Sequence, residues 1–82
     1  MAMPETLLDT QGLNCPLPVL KAKKLLSGLP AGALLRVLAS DPAALRDFPA
    51  FCRQTGHELL ESVQPAAGVY RFLIRKTSSP AL

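Results

Sequence analysis

The chain has 82 residues, of which 49% are apolar and 18% charged, so the composition predicts one small domain with a modest core. Nine basic against six acidic residues give a net charge of +3, which suits an acidic protein surface or RNA without requiring either. No apolar stretch approaches the ~20 residues that span a bilayer, and the N-terminus lacks the basic run and apolar core of a signal peptide. We therefore expect a cytoplasmic protein that does not enter a membrane, in a compartment where thiols stay reduced.

The first half of the chain predicts a strand, a helix and a second strand. A short apolar run at residues 6–8 predicts the first strand. The apolar residues that follow recur at steps of three and four, as on one face of a helix, and they are Val19, Ala22, Leu25, Leu26 and Leu29. Gly28, Pro30 and Gly32 end this helix. Residues 34–39 predict the second strand, with Arg36 on its polar side.

Pro49 decides the prediction for the second helix. Proline inside a helix removes a backbone hydrogen bond. We therefore expect a turn over residues 43–47 and a helix from about residue 48 to residue 55, closed by Gly56. Its inner face is predicted to consist of Phe48, Phe51, Cys52 and Thr55.

The remaining segments complete a βαβαββ order. Residues 58–64 and 69–76 predict two strands joined by a hairpin turn at residues 65–68. This order predicts an α+β fold, a two-layer α/β sandwich in which a four-stranded mixed sheet carries both helices on one face. The other sheet face is left exposed as a candidate docking surface. We place a single domain at residues 1–76 and a flexible C-terminal tail at residues 77–82.

Cys15 is the main candidate for chemistry, because it stands where the first strand passes into the first helix. A residue before proline favours the extended conformation of an N-cap, so Cys15 is predicted to cap a helix that starts at Pro16. The sulfur would then face the N–H of Leu17 and the positive helix end, and its pKa would be moderately lowered. If Leu17 resists the helical region because it precedes Pro18, the helix starts at Pro18 and Cys15 lies on the preceding loop. A buried, purely structural cysteine is the alternative.

The other polar residues have plainer interpretations. Cys52 lies on the apolar stripe of the second helix, so core packing is expected, with a resolving thiol for Cys15 as the alternative. His57 is predicted to be a polar residue at a helix–strand junction. Two cysteines and one histidine fall short of a structural zinc site, and we expect neither a metal nor an organic cofactor.

Two acidic residues and three lysines stand near the predicted position of Cys15. Asp9 and Asp41 follow the first two strands, and parallel pairing of those strands would bring both to the edge where Cys15 lies. There they could tune the thiol or support its loop, whereas Asp41 could simply cap the second helix. The first helix also carries a basic group, either a solvated face or a docking surface for a partner, formed by Lys21, Lys23 and Lys24.

Short motifs are spread along nearly the whole domain. They are Leu8-Asp9, Gly12-Leu13, Cys15-Pro16-x-Pro18-Val19, Asp41-Pro42, Arg46-Asp47-x-Pro49-x-Phe51-Cys52, Gly56-His57-Glu58-Leu59 and Tyr70-x-Phe72-Leu73-Ile74-Arg75-Lys76. Together they resemble the TusA/SirA-like sulfur-carrier family. The R-D-x-P-x-F-C helix is most similar to the TusA branch, and Leu17 occupies the variable position of the C-P-x-P motif.

The resemblance implies the same βαβαββ fold and a sulfurtransferase-type carrier rather than a multiple-turnover enzyme. It implies that Cys15, in a motif completed by Pro16 and Pro18, accepts a persulfide sulfur from a cysteine desulfurase and passes it to an acceptor protein. In many bacteria this relay ends in 2-thiouridine in tRNA. Related branches serve cytoplasmic sulfur oxidation or molybdenum-cofactor synthesis, and these remain alternative destinations.

Two other classes of function stay open. The chain could be a thiol redox or regulatory protein in which Cys15 and Cys52 form a transient disulfide. It could also be a binding module that contacts RNA or protein through the open sheet face or the lysine-bearing helix. Direct tRNA binding is expected to be weak or absent, because one tyrosine, three phenylalanines and no tryptophan offer little stacking surface.

Overall fold

Within the described part of the chain, four strands and two helices form in the predicted order, βαβαββ. The structure is a computed structural model that describes residues 5–77. Its elements are β1 (Glu5–Thr10), α1 (Leu17–Ser27), β2 (Leu34–Ala39), α2 (Ala44–Thr55), β3 (Glu58–Ala66) and β4 (Val69–Arg75). Neither helix of this range has the length and apolar character needed to cross a membrane.

The sheet is mixed, as predicted, with strand order β1-β2-β4-β3. β1 pairs in parallel with β2 because α1 makes the crossover between them, whereas β4 runs antiparallel to both β2 and β3. The β1–β2 register pairs Thr10 with Ala39, so the two strands end side by side. The loops that leave these two strands therefore start at one edge of the sheet, and this edge carries the candidate site.

The core lies between the sheet and the two helices. In β2, Leu35, Val37 and Ala39 are fully buried against the helices, while Arg36 lies on the opposite face. The ring of Phe48 from α2 stacks on that of Phe72 from β4, with centroids 4.7 Å apart. Because both rings are completely buried, this pair fixes α2 onto the sheet. The predicted two-layer sandwich, with both helices on one face, is confirmed.

The predicted start of α2 is wrong by one turn, because the helix begins at Ala44 and contains Pro49. Because proline has no backbone N–H, Pro49 cannot donate the helical hydrogen bond to the carbonyl of Leu45. Leu45 lies on the outer side of the helix, where its side chain is 43% exposed. The inner face buries two aromatic rings that offset this loss, so local propensity yields to packing. Burial of the predicted Phe48 and Phe51 is confirmed, as is closure by Gly56, which has φ of +84°.

The last two strands differ from prediction at their ends. β3 continues through Pro65 to Ala66, so the hairpin turn is shortened to residues 67–68, and β4 ends at Arg75. Proline is tolerated here because β3 is an edge strand and its register is irregular between Val63 and Ala66.

The start of the predicted tail is tied to the domain. Thr77 donates its backbone N–H to Nδ1 of His57 at 3.3 Å and its hydroxyl to the carbonyl of Gly56 at 3.1 Å. The other residues of that predicted tail, 78–82, lie outside the described residues, as do residues 1–4.

The second face of the sheet carries ion pairs instead of a helical layer. Arg36 lies between Glu5 and Glu61, with N–O distances of 2.9 and 3.0 Å. Glu61 also pairs with Arg71 at 3.1 Å, and Arg75 pairs with Glu58. Glutamates of the two edge strands thus flank arginines of the two central strands, and these ion pairs stabilise a solvent-facing sheet surface.

Candidate functional site

Cys15 is exposed on the loop between β1 and α1. The helix begins at Leu17 with Pro16 as its N-cap residue, so Cys15 stands one position before the cap and its predicted role as the cap is wrong. The N–H of Leu17, expected to face the sulfur, donates instead to the carbonyl of Asn14 at 2.9 Å. Pro18 is buried in the first turn, and the Cys15–Pro16 peptide bond is cis. The motif therefore presents its thiol outward from a proline-rich loop.

The thiol of Cys15 contacts a carboxylate, not the helix end. Its Sγ donates a hydrogen bond to Oδ2 of Asp47, in the first part of α2, at 2.8 Å. This bond raises the pKa of Cys15, the negative charges of Asp47 and Asp41 add to the effect, and the Arg46 guanidinium opposes it. The predicted lowering of the Cys15 pKa is therefore wrong, because a thiol that donates to a carboxylate is favoured in its protonated form.

Asp41 supports the backbone of the same loop. Its Oδ2 accepts the N–H of Cys15 at 2.7 Å, and its Oδ1 accepts the N–H of Ala43 at 3.0 Å. These two backbone donors lower the pKa of Asp41, because both favour the ionised carboxylate. One side chain thus joins the loop of Cys15 to the turn that leads into α2.

Asp9 lies at the same edge but serves its own turn. Its Oδ1 accepts the N–H of Gln11 at 2.9 Å, and among the hydrogen bonds of residues 5–77 it has none to Cys15. A second link between the loops comes from Ser40, whose hydroxyl accepts the N–H of Gly12 at 2.8 Å. Of the two acidic residues predicted at this edge, the structure brings Asp41 to Cys15 and leaves Asp9 apart.

Asp47 is the site residue that sequence reasoning missed. The predicted turn over residues 43–47 gave it no defined direction, whereas the observed helix places it beside the buried Phe48. Arg46 Nε contacts its Oδ1 at 3.3 Å. The signal that could have found it is its place immediately before a core residue of α2, at the end of the helix nearest the β2 loop.

Cys52 and His57 lie away from this chemistry. Cys52 is buried as predicted, and burial raises its pKa to about 11. His57 packs its ring against Phe51, with centroids 5.9 Å apart, and burial together with the charge of Lys76 lowers its pKa. In the part of the chain that the structure describes, neither residue hydrogen-bonds to Cys15.

The three lysines predicted to dock a partner are exposed on α1. Lys21 and Lys24 border an open groove of about 340 Å³ whose apolar lining comes from Leu8 and Leu25. Across residues 5–77, the His, Cys, Asp and Glu side chains form no group that could hold a metal ion. The chemistry available at this site is therefore that of an exposed thiol beside two carboxylates.

Known proteins place this architecture in a family. A sequence model of the family described as Sulfurtransferase TusA matches residues 6–76. The chain is 51% identical over 70 residues to Sulfur carrier protein TusA of Allochromatium vinosum, covering 85% of this chain and 91% of that protein. It is 49% identical over 73 residues to Sulfur carrier protein TusA of Pseudomonas putida, covering 89% and 90%.

The fold comparison agrees with the sequence comparison. The crystal structure of a SirA-like protein from Desulfitobacterium hafniense matches with a TM-score of 0.79 and 27% identity, covering 89% of this chain and 99% of that one. The resemblance drawn from the short motifs is confirmed, and the chain belongs to the TusA family of sulfur carriers.

Proposed function

We propose that Cys15 carries the sulfur, receiving it as a persulfide from a cysteine desulfurase and passing it to an acceptor protein. The observation that carries this proposal is the contrast between the two cysteines. Cys15 is exposed on a loop, whereas Cys52 is 5% exposed with a pKa of about 11. Only an accessible sulfur can come within bonding distance of a sulfur on another protein.

The transfer needs no cofactor and no net oxidation. The Cys15 thiolate attacks the outer sulfur of the donor persulfide, and the S–S bond of the donor breaks. The inner sulfur leaves as a thiolate and takes up the proton that Cys15 gave up, while Cys15 becomes Cys15–S–SH. In the second step an acceptor thiolate attacks the outer sulfur of Cys15–S–SH, and Cys15 is the leaving group.

The loop supports this chemistry by holding the sulfur in one place. Asp41 fixes the backbone N–H of Cys15, while Pro16 and Pro18 restrict their own backbone and that of the residue before each, Cys15 and Leu17. A fixed, outward sulfur lowers the entropy cost of aligning it with the sulfur of a partner.

Sulfur loading tests the proposal. The chain is incubated with a cysteine desulfurase and cysteine, and the intact mass is followed. We expect a gain of one sulfur that maps to Cys15, that is lost in Cys15→Ser and that persists in Cys52→Ser. Loading that survives in Cys15→Ser would reject the proposal, and loading lost only in Cys52→Ser would favour a redox pair instead.

We further propose that the lysines of α1 help to dock an acidic surface of the sulfur donor. Lys21 and Lys24 border an apolar groove, so a partner segment with acidic and apolar side chains would satisfy both features. The double charge reversal Lys21→Glu/Lys24→Glu should slow sulfur loading and weaken its salt dependence. Arg53→Glu, at an exposed position in the last turn of α2, is the control and should leave the loading rate unchanged. An equal loss in both variants would indicate a general charge effect.

We propose 2-thiouridine synthesis in tRNA, in the cytoplasm, as the destination of the sulfur. This proposal rests on the resemblance of the motifs to the TusA branch, and no contact in the described part of the structure bears on it. The measurement is the 2-thiouridine content of tRNA in a bacterium that lacks its own TusA and expresses this chain. Restored thiolation by the wild type but not by Cys15→Ser supports the assignment. Sulfur loading without restored thiolation would point to sulfur oxidation or molybdenum-cofactor synthesis.

A further inference from the structure

We propose that Asp47 is a positioning residue for the reaction of Cys15, whose carboxylate holds the thiol hydrogen so that the thiol stays protonated until this contact is broken. The proposal rests on the assignment of Cys15 as the sulfur-carrying residue. It goes beyond that assignment because it concerns how the free protein controls its own thiol.

The geometry makes the contact a defined one. Sγ of Cys15 lies 2.8 Å from Oδ2 of Asp47, and the Asp47 side chain is only 22% exposed. The backbone N–H of Asp47 donates to the carbonyl of Ala43 at 2.9 Å, and the next residue, Phe48, is fully buried. Asp47 is therefore attached to a helix that is anchored in the core, and its side chain is half-buried instead of freely exposed to solvent.

A second contact holds Cys15 from the other end. The N–H of Cys15 donates to Oδ2 of Asp41 at 2.7 Å, so both hydrogen-bond donors of this residue bond to carboxylates within residues 41–47. The hydrogen bonds that position the thiol and favour its protonated form thus come from the segment that leads from β2 into α2.

The local charge favours the protonated thiol. Two carboxylates face Cys15, and the guanidinium of Arg46 lies beside Asp47 on a side chain that is 79% exposed and therefore well screened by water. The surroundings of the sulfur are thus negative in a chain whose net charge is +3. Negative charge beside a thiol disfavours the thiolate, whereas a cation that neutralised Asp47 would favour it.

Protection of the thiol follows from this arrangement. Oxidation and alkylation proceed through the thiolate, so a thiol bound to Asp47 resists both although it is exposed. During sulfur transfer the proton of Cys15 ends on the departing thiolate of the donor, and Asp47 is left unchanged. The carboxylate controls when the sulfur reacts and is not consumed.

The test is the pH profile of alkylation, which a purely structural role for Asp47 would not move. The full chain is treated with iodoacetamide, and modification at Cys15 is followed by mass spectrometry in wild type, Asp47→Asn and Glu58→Gln. The last variant removes one carboxylate from the far end of the sheet and is the matched control. We expect Asp47→Asn to react about two- to fivefold faster near pH 7, the range typical of an exposed charge interaction, and the ratio to approach one at high pH. Glu58→Gln should match the wild type.

Equal or slower alkylation of Asp47→Asn, or the same acceleration in Glu58→Gln, would overturn the proposal. Circular dichroism establishes that each variant is folded. Should Asp47→Asn fail to fold, the pH profile of the wild type is measured in the folded and in the urea-unfolded chain. The proposal requires a higher apparent pKa of Cys15 in the folded chain, and an equal or lower value would overturn it. The assay involves no persulfide, so its failure is distinct from a failure of sulfur loading.

Discussion

Removing the ring of Phe48 should destabilise the domain and, with it, the support of the site. This ring is 0% exposed and stacks on Phe72 with centroids 4.7 Å apart. It is the neighbour of Asp47 on α2 and the main apolar anchor between this helix and the centre of the sheet. Phe48→Ala leaves a cavity beneath the part of α2 that carries the carboxylate.

The magnitude follows from complete burial. Truncation of a buried phenylalanine to alanine costs about 3–5 kcal/mol in free energy of unfolding, through lost transfer free energy and the remaining cavity. A domain of this length has about 4–12 kcal/mol in total, so the variant loses a large share of its stability. Phe48→Leu keeps most of the volume and should cost about 1–2 kcal/mol.

Urea unfolding followed by circular dichroism measures these differences. The matched control is Leu45→Ala on the same helix, where the side chain is 43% exposed and the expected cost is below about 1 kcal/mol. Phe48→Leu should remain folded and keep its sulfur loading. A cost for Phe48→Ala no greater than that for Leu45→Ala would refute the reasoning, because α2 would then be held by contacts other than its buried aromatic face.

Three further predictions concern ionisable groups. The pKa of His57 is lower in the folded chain, so the unfolded chain binds the imidazole proton more tightly, and the free energy of unfolding should fall as the pH drops below 6.5. In urea unfolding between about pH 5 and pH 7, His57→Gln should show a weaker dependence of this free energy on pH. With a pKa of about 11, Cys52 is ionised in only about one molecule in a thousand near pH 8, so peptide mapping should find iodoacetamide on Cys15 alone until the chain is unfolded. Equal labelling of both cysteines in the folded chain would contradict its burial. Because the pKa of Asp41 is lowered on folding, its carboxylate stabilises the folded state at pH values above its ordinary pKa of 3.8, and this contribution is lost as the pH falls through the pKa of the folded chain. Asp41→Asn should therefore lower the thermal midpoint near pH 7 and match the wild type in strong acid.

The sheet was predictable because its signals are local. Alternation along β2 predicts its limits to the residue, and the same alternation in β4 identifies the buried Tyr70, Phe72 and Ile74. Each of these assignments depends only on a period of two and on a few neighbouring residues. The element order then leaves few ways to cover one sheet face with two helices.

The start of α2 was not predictable from local rules. In the sequence, Pro49 indicates that the helix begins close to this residue. The helix instead begins at Ala44, and the packing of Phe48 against Phe72 explains why the segment before Pro49 is helical. Because of this error Asp47 was not predicted to belong to the site, since the direction of its side chain could not be inferred while residues 43–47 were predicted to form a turn. A tertiary contact between α2 and β4 is therefore what decides whether a carboxylate reaches the thiol.

The sign of the Cys15 pKa shift has the same origin. The position of Cys15 beside a helix start suggests a lowered pKa, but that argument considers only residues next to it in sequence. The partner of the thiol is 32 positions away, and the hydrogen bond to its carboxylate is the largest cause of the raised pKa of Cys15. The N–H of Leu17, at the helix start, is already bonded to the carbonyl of Asn14. Composition and periodicity contain no information about this pairing.

The thiolate is disfavoured at the two cysteines by different physical means, and the difference bears on function. Cys52 is protected by burial, which a partner could reverse only by opening the core. At Cys15 the thiol donates a hydrogen bond to Asp47 at the surface, and under our proposal a docking protein that neutralises this carboxylate would release it. A carrier must be inert between partners and reactive within a complex. Of these two arrangements, only the surface hydrogen bond allows both states without unfolding.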